Sequence, residues 1–175
     1  PMTFPDEPIT VRPDIRFIWP FNLDLGRGLR LVSATAQPVC AAQVGDTRTI
    51  FFAETPGVRP QFAFDRRSPF DTNGQPRIQM FSGSEHGQKD LVVYTLQPGT
   101  GASLRSQSEG GTVRIVLLSD ADSLALWKET WQGRERIFLT RAGLIIGGDI
   151  LRLGSPNPAD LAVGIYPATT DTFAG

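Results

Sequence analysis

The sequence predicts an all-β fold, an antiparallel β-sandwich of short strands carrying one short α-helix near residues 120–131. Three observations predict it. Eighteen glycines and fourteen prolines cut the 175 residues into short pieces that suit tight turns better than long helices. Short apolar runs recur with turn signals between them. Helical spacing of apolar residues is convincing in one place only, Leu124, Trp127 and Trp131.

The elements follow in order. Residues 1–20 carry Pro1, Pro5, Pro8, Pro13 and Pro20, with Ile9, Val11, Ile15, Phe17, Ile18 and Trp19 between them. Proline fixes φ and lacks a ladder donor, so this reads as an extended arm or linker leading into a sandwich domain over 21–175. Leu29-Arg30-Leu31-Val32 follows a turn at Gly26-Arg27-Gly28, and Gly45-Asp46 separates Val39 to Val44 from Thr49 to Ala53 as a hairpin. After the Pro56-Gly57 turn, Phe62-Ala63-Phe64 alternates with flanking Gln61 and Asp65, which predicts a strand with one buried face. Asp71 to Gly74 reads as a turn, Arg77 to Phe81 and Leu91 to Leu96 as strands, and 97–111 as a surface loop.

Thr112 to Leu118 is the clearest strand. It runs into the expected helix, where Ser119 suits the N-cap, Asp120 and Asp122 suit the positive end of the dipole, and Gly133 stops the run. Arg136 to Thr140, Leu144 to Ile146, Ile150 to Leu153 and Leu161 to Tyr166 read as further strands, with a turn at Gly147-Gly148-Asp149.

Charge removes several function classes. Seventeen basic against eighteen acidic residues leave a net charge of -1, which gives no electrostatic case for a nucleic-acid or anionic-membrane partner. One cysteine, Cys40, and one histidine, His86, exclude an intrachain disulfide and a Cys/His zinc cluster, and no cofactor motif occurs. The opening Pro1-Met2 leads us to expect a processed chain or a piece of something larger.

Candidate chemistry has a plainer counterpart at each position. Ser84-Glu85-His86-Gly87 gathers triad residue types, but sequence neighbours do not make a triad, and the nucleophile-elbow spacing is missed by one residue; a polar loop is expected. Asp71-Thr72-Asn73-Gly74 begins like a calcium loop that no Glu closes. Glu54, Asp65, Asp71, Glu85, Asp90 and Glu109 are carboxylates that could do acid/base work only if the fold paired two of them across a sugar. Asp65-Arg66-Arg67 reads as a surface salt-bridge cluster before an anion clamp. Trp127 and Trp131 are expected to seal the helix onto the sheet. Phe17, Trp19 and Phe21 are the candidate residues for docking onto a neighbouring domain or for contacting sugar.

Three stretches, Trp19-Pro20-Phe21-Asn22-Leu23-Asp24-Leu25-Gly26, Leu31 to Cys40 with its Ala34-Thr35-Ala36-Gln37-Pro38, and Ile50 to Gly57 running on through Phe62 to Asp65, carry a likeness. So do Thr112 to Ser119, Leu126-Trp127-Lys128, Gly133 to Leu139 and Ile146 to Leu153. In this order, over roughly residues 17–166, the chain resembles the non-catalytic β-rich region that follows the barrel in bacterial β-galactosidases of glycoside hydrolase family 35. The resemblance implies that retaining chemistry belongs to two glutamates of a (β/α)8 barrel. A barrel of about 250 residues cannot fit here beside a sandwich, so no residue of this chain inherits a catalytic role. It implies an accessory module bracing that barrel, its partner in the parent chain. The alternatives are a carbohydrate-binding module that takes an oligosaccharide and, third, a small stand-alone hydrolase.

Overall fold

The computed structural model describes residues 9, 10, 13, 16–68, 70–73, 77–81, 90–99, 103–108 and 110–169. The chain divides into two compact units, 1–120 and 121–175. The expected class holds: the fold is all-β, mostly antiparallel, with a single short α-helix among the described residues.

Among its described residues the first unit contains ten strands: β1 Phe21–Gly26, β2 Leu29–Ala34, β3 Ala36–Val44, β4 Thr47–Glu54, β5 Gln61–Asp65, β6 Asp71–Asn73, β7 Arg77–Phe81, β8 Leu91–Thr95, β9 Ser103–Ser108 and β10 Gly111–Leu118. They form two five-stranded sheets, ordered β1-β2-β5-β8-β7 and β3-β4-β10-β9-β6. β4 and β10 pair in parallel, in register from Thr47↔Thr112 to Ala53↔Leu118. The expected hairpin is β3–β4, with Val44 opposite Thr47 and Gly45 at φ +54° in the two-residue turn. Pro38 lies within β3, an edge strand, where a missing donor costs no ladder bond, and the register shifts between Pro38 and Cys40.

The inner faces make one core. Leu31, Phe62, Phe64 and Val92 of the first sheet meet Ile50, Phe52, Leu104, Ile115 and Leu117 of the second. The Phe52 and Phe62 rings join them edge to face at 5.2 Å. Contrary to the one-faced strand expected at 61–65, Gln61 and Ala63 on the opposite face are also buried, at 1% and 0% exposure. Leu91 to Leu96 and Val116 with Leu118 behave likewise, which is why these strands read as unbroken apolar runs.

Two further expectations in this unit are corrected. Asp71 to Asn73 is strand β6, paired with β9 from Asp71↔Arg105, and Gly74 lies outside the described residues. The expected loop at 97–111 contains β9, which pairs with β10 across Gly111↔Ser108. Its Ser-Leu-Arg-Ser-Gln-Ser composition has one apolar side chain, Leu104, so the pattern is too sparse for sequence to register.

The turns β1–β2, β3–β4 and β9–β10 are tied together by polar bonds. The Arg27 guanidinium donates to the Gly110 carbonyl, and Ser108 Oγ donates to the Arg27 carbonyl at 3.1 Å. Thr112 N donates to the Asp46 carbonyl at 2.9 Å. Gly111 sits between them at φ +118°, where an added Cβ would lie 2.5 Å from the Asp46 oxygen.

The second unit begins within α1 Asp120–Leu124 and contains β11 Leu126–Trp131, β12 Arg134–Leu139, β13 Gly143–Gly147, β14 Ile150–Gly154, a 3₁₀ turn at Pro158–Asp160 and β15 Gly164–Tyr166. β11-β12-β15 make one sheet and β13–β14 a separate hairpin. The helix starts where expected but ends at Leu124, and 126–131 is a strand. Trp127 and Trp131 are four apart, a spacing that shares a face in both a helix and a strand, so it did not discriminate. What decides is Gln132-Gly133, both at positive φ (52° and 67°), which folds β11 back onto β12 with Trp131 opposite Arg134. Trp131 is buried, edge-on to Phe138 at 6.1 Å and under the Arg136 guanidinium at 5.4 Å, whereas Trp127 remains 44% exposed.

Gly111→Ala will destabilise the first unit by about 1–3 kcal/mol from backbone strain alone, with the Asp46 clash added, as measured by urea denaturation. Gly45→Ala will cost less, because nothing lies within 4 Å of its Cβ position. Burial raises the pKa of the Tyr94 phenol above its ordinary 10.0. Its protonated form is therefore favoured by folding. That stability is complete below pH 10.0 and is lost as pH rises through the folded value. Tyr94→Phe will flatten the alkaline limb of the stability profile.

Candidate functional site

The arm contributes the candidate site that the sequence singles out. Chain entry is fixed by backbone: the Pro20 carbonyl accepts from Ala34 N at 3.2 Å, and Pro20 is buried. Just before it, Ile18 N donates to Gln37 Oε1 at 3.2 Å. Trp19 Nε1 donates to Thr55 Oγ1 at 3.0 Å, and Thr55 is 3% exposed in the turn after β4. The Phe17 ring stacks on Trp19 with centroids 4.3 Å apart and planes at 28°. Alternate residues of an extended chain share a side, which is how these two rings meet.

Of the three candidates, then, Phe17 and Trp19 form one half-buried pair, while Phe21 stands apart on edge strand β1, opposite Ser33 and 64% exposed. Ile18, between the stacked rings in sequence, is 73% exposed. The patch is a pinned segment with an aliphatic and an aromatic side chain left in water. It offers apolar area and carries no acid, base or nucleophile.

Three of the carboxylates weighed for acid/base work have local employment. Glu54 Oε1 accepts from Asp120 N at 3.3 Å, Asp65 Oδ1 accepts from Arg67 N at 3.1 Å, and Asp90 pairs with Arg66 at 3.4 Å. The Asp65-Arg66-Arg67 cluster is thus a turn with a surface ion pair. Glu85, His86 and Glu109 lie outside the described residues. Among the described residues no group of three or more His, Cys, Asp or Glu could hold a metal ion, and no helix is long and apolar enough to cross a membrane.

The second unit carries a cleft of about 270 Å³ that sequence reading missed. It lies between α1, the end of β12 and the 3₁₀ turn, with Leu139, Ala125 and Ala162 in its lining. Asp122 faces Arg141 across it at 3.6 Å, and Asp160 accepts a long bond from Ser155 Oγ at 3.5 Å. Asn157 Oδ1 caps the 3₁₀ turn through Ala159 N, with Pro158 at the first position. These residues are up to 40 positions apart and share no motif, so only folding assembles them. The volume falls below the roughly 300 Å³ at which small-molecule sites begin, and its charges answer one another.

Trp19→Phe removes the indole donor while keeping a stacked ring. It will cost about 1 kcal/mol in urea denaturation and speed exchange of the Ile18 amide. No family model matches this sequence, and no curated protein is detectably similar to it.

Proposed function

We propose that this chain is a non-catalytic accessory module of a retaining β-galactosidase of glycoside hydrolase family 35, and that it braces the catalytic (β/α)8 barrel of the parent. The observation that carries this reading is the pinned arm. Trp19 is bonded to Thr55 while Ile18, next to it in sequence, and Phe21 on β1 remain 73% and 64% exposed. Covering them gains about 25 cal/mol for each Å² of apolar surface removed from water, and the fixed backbone means little ordering cost is added on docking. The segments that resemble the family also support it. Trp19 to Gly26 forms the arm's end and β1, Leu31 to Cys40 joins the two sheets, and Ile50 to Ala53 with Phe62 to Asp65 meets across the core. In this reading the double displacement belongs to two glutamates of the barrel, and this module keeps the barrel's neighbour surface rigid.

The test uses the purified chain and the barrel of its parent expressed separately. The chain will not hydrolyse a chromogenic β-galactoside, and it will bind the barrel. Ile18→Ser with Phe21→Ser will weaken that binding at least tenfold and shift the denaturation midpoint little, since both sites are exposed. Turnover by this chain that one Asp or Glu substitution abolishes would overturn the proposal. Retarded migration in a galactan gel without barrel binding would replace it with the carbohydrate-binding alternative.

A further inference from the structure

The outward face of the second sheet carries a row of side chains that the core does not require. Arg114 of β10 and Arg105 of β9 are direct cross-strand partners. Thr49 of β4 lies beyond Arg114, and Asp71 of β6 lies beyond Arg105. The neighbours Leu104, Val113 and Ile115 point into the core, so both arginines project from the opposite face.

Two features make this pair unusual. Like charges directly opposite on adjacent strands repel, so the pairing costs stability that any neutral residue would avoid. Arg114 is also half-buried, and a guanidinium moved partly out of water wants a counter-charge. Among the described residues neither arginine forms an ion pair, and Asp71, at the end of the row, comes within ion-pair distance of neither. On the same face, one step along each strand, sit Ser103 and Thr112, at 4% and 5% exposure. Two guanidinium forks bordered by hydroxyl-bearing residues suit an acceptor-only ligand with several oxygens.

We infer that Arg105 and Arg114 form a binding site for a tetrahedral oxyanion, the phosphate or sulfate group of a small molecule or of an esterified sugar. Each fork presents two parallel N–H donors, so two forks engage two edges of a tetrahedral group, which a single planar carboxylate does not offer. The bound anion removes the repulsion between the arginines and supplies the charge that Arg114 lacks. The site is independent of the arm and of the accessory-module reading.

The test is calorimetric titration of the full chain with inorganic phosphate, inorganic sulfate and a monosaccharide phosphate ester, at constant ionic strength set with chloride. One saturable site is expected. A stronger response to the ester than to the free ion identifies an esterified ligand, and the reverse identifies the ion itself. Arg105→Gln and Arg114→Gln will each weaken binding at least tenfold, Arg114→Lys will weaken it less, and Arg134→Gln on β12 will leave it unchanged. Arg105→Gln will lose affinity without lowering the thermal midpoint, because removing one guanidinium relieves the repulsion; a purely structural pair would not separate the two effects in this way. Should a variant fail to fold, amide-shift titration of the unaltered chain with phosphate decides, with changes expected at 103–106 and 112–116. Absence of a saturable response, shifts centred elsewhere, or undiminished affinity in Arg105→Gln would overturn the inference.

Discussion

Closure of two sheets over one set of aromatic and aliphatic side chains is the constraint from which the first unit follows. Phe52 on β4 and Phe62 on β5 touch edge to face at 5.2 Å, and both are fully buried. That contact joins the central strand of one sheet, β5, to a strand one in from the edge of the other, β4. Phe64, Phe70 and Tyr94 extend the aromatic cluster, with Phe64 and Phe70 at 4.4 Å and Phe70 and Tyr94 at 5.2 Å. Large rings supply much area per residue, which suits strands only five to eight residues long in this part of the core.

A sandwich holds only if its turns keep the strands in register, and here three turns share one polar knot. Arg27, Asp46, Ser108 and Gly111 come from three separate hairpin ends, and their bonds are mostly to backbone carbonyls. Backbone groups at a turn have no ladder partner, so these bonds satisfy acceptors that would otherwise depend on water. The second unit uses another solution. Trp131 and Phe138 pack on one face of β11–β12, and Arg136 covers the indole while its Nη1 donates to the Pro167 carbonyl at 2.8 Å. A charged residue there serves as packing as much as charge.

Legibility tracks how local the signal is. The hairpin at Gly45-Asp46, the turn at Pro56-Gly57 and the strand at Thr112 to Leu118 were readable because each depends on residues a few positions apart. The aromatics before β1 were readable as a site worth naming, but not which of them would stay in water. Phe17 and Trp19 became a stacked, anchored pair because Thr55, 36 positions on, offered an acceptor. The helix reached too far because a spacing of four fits two geometries. β9 was missed because one leucine in six residues makes no period. The Asp122–Arg141 cleft and the Arg105–Arg114 row gave no sequence signal of any kind, since their members acquire meaning only through strand pairing.

The amino-acid sequence by itself determined the class of this protein: short apolar runs between glycine and proline turns have no stable outcome except sheet, and a near-neutral charge leaves the surface without a general attraction for polyanions. Tertiary structure alone decided which faces are covered and which residues become neighbours. Burial on both sides of β5, β8 and β10 is a property of what lies above and below them, and a strand carries no local mark of that. The opposition of Arg105 and Arg114 likewise comes from a register, and a shift of one residue along the ladder would have sent one of them to the other face.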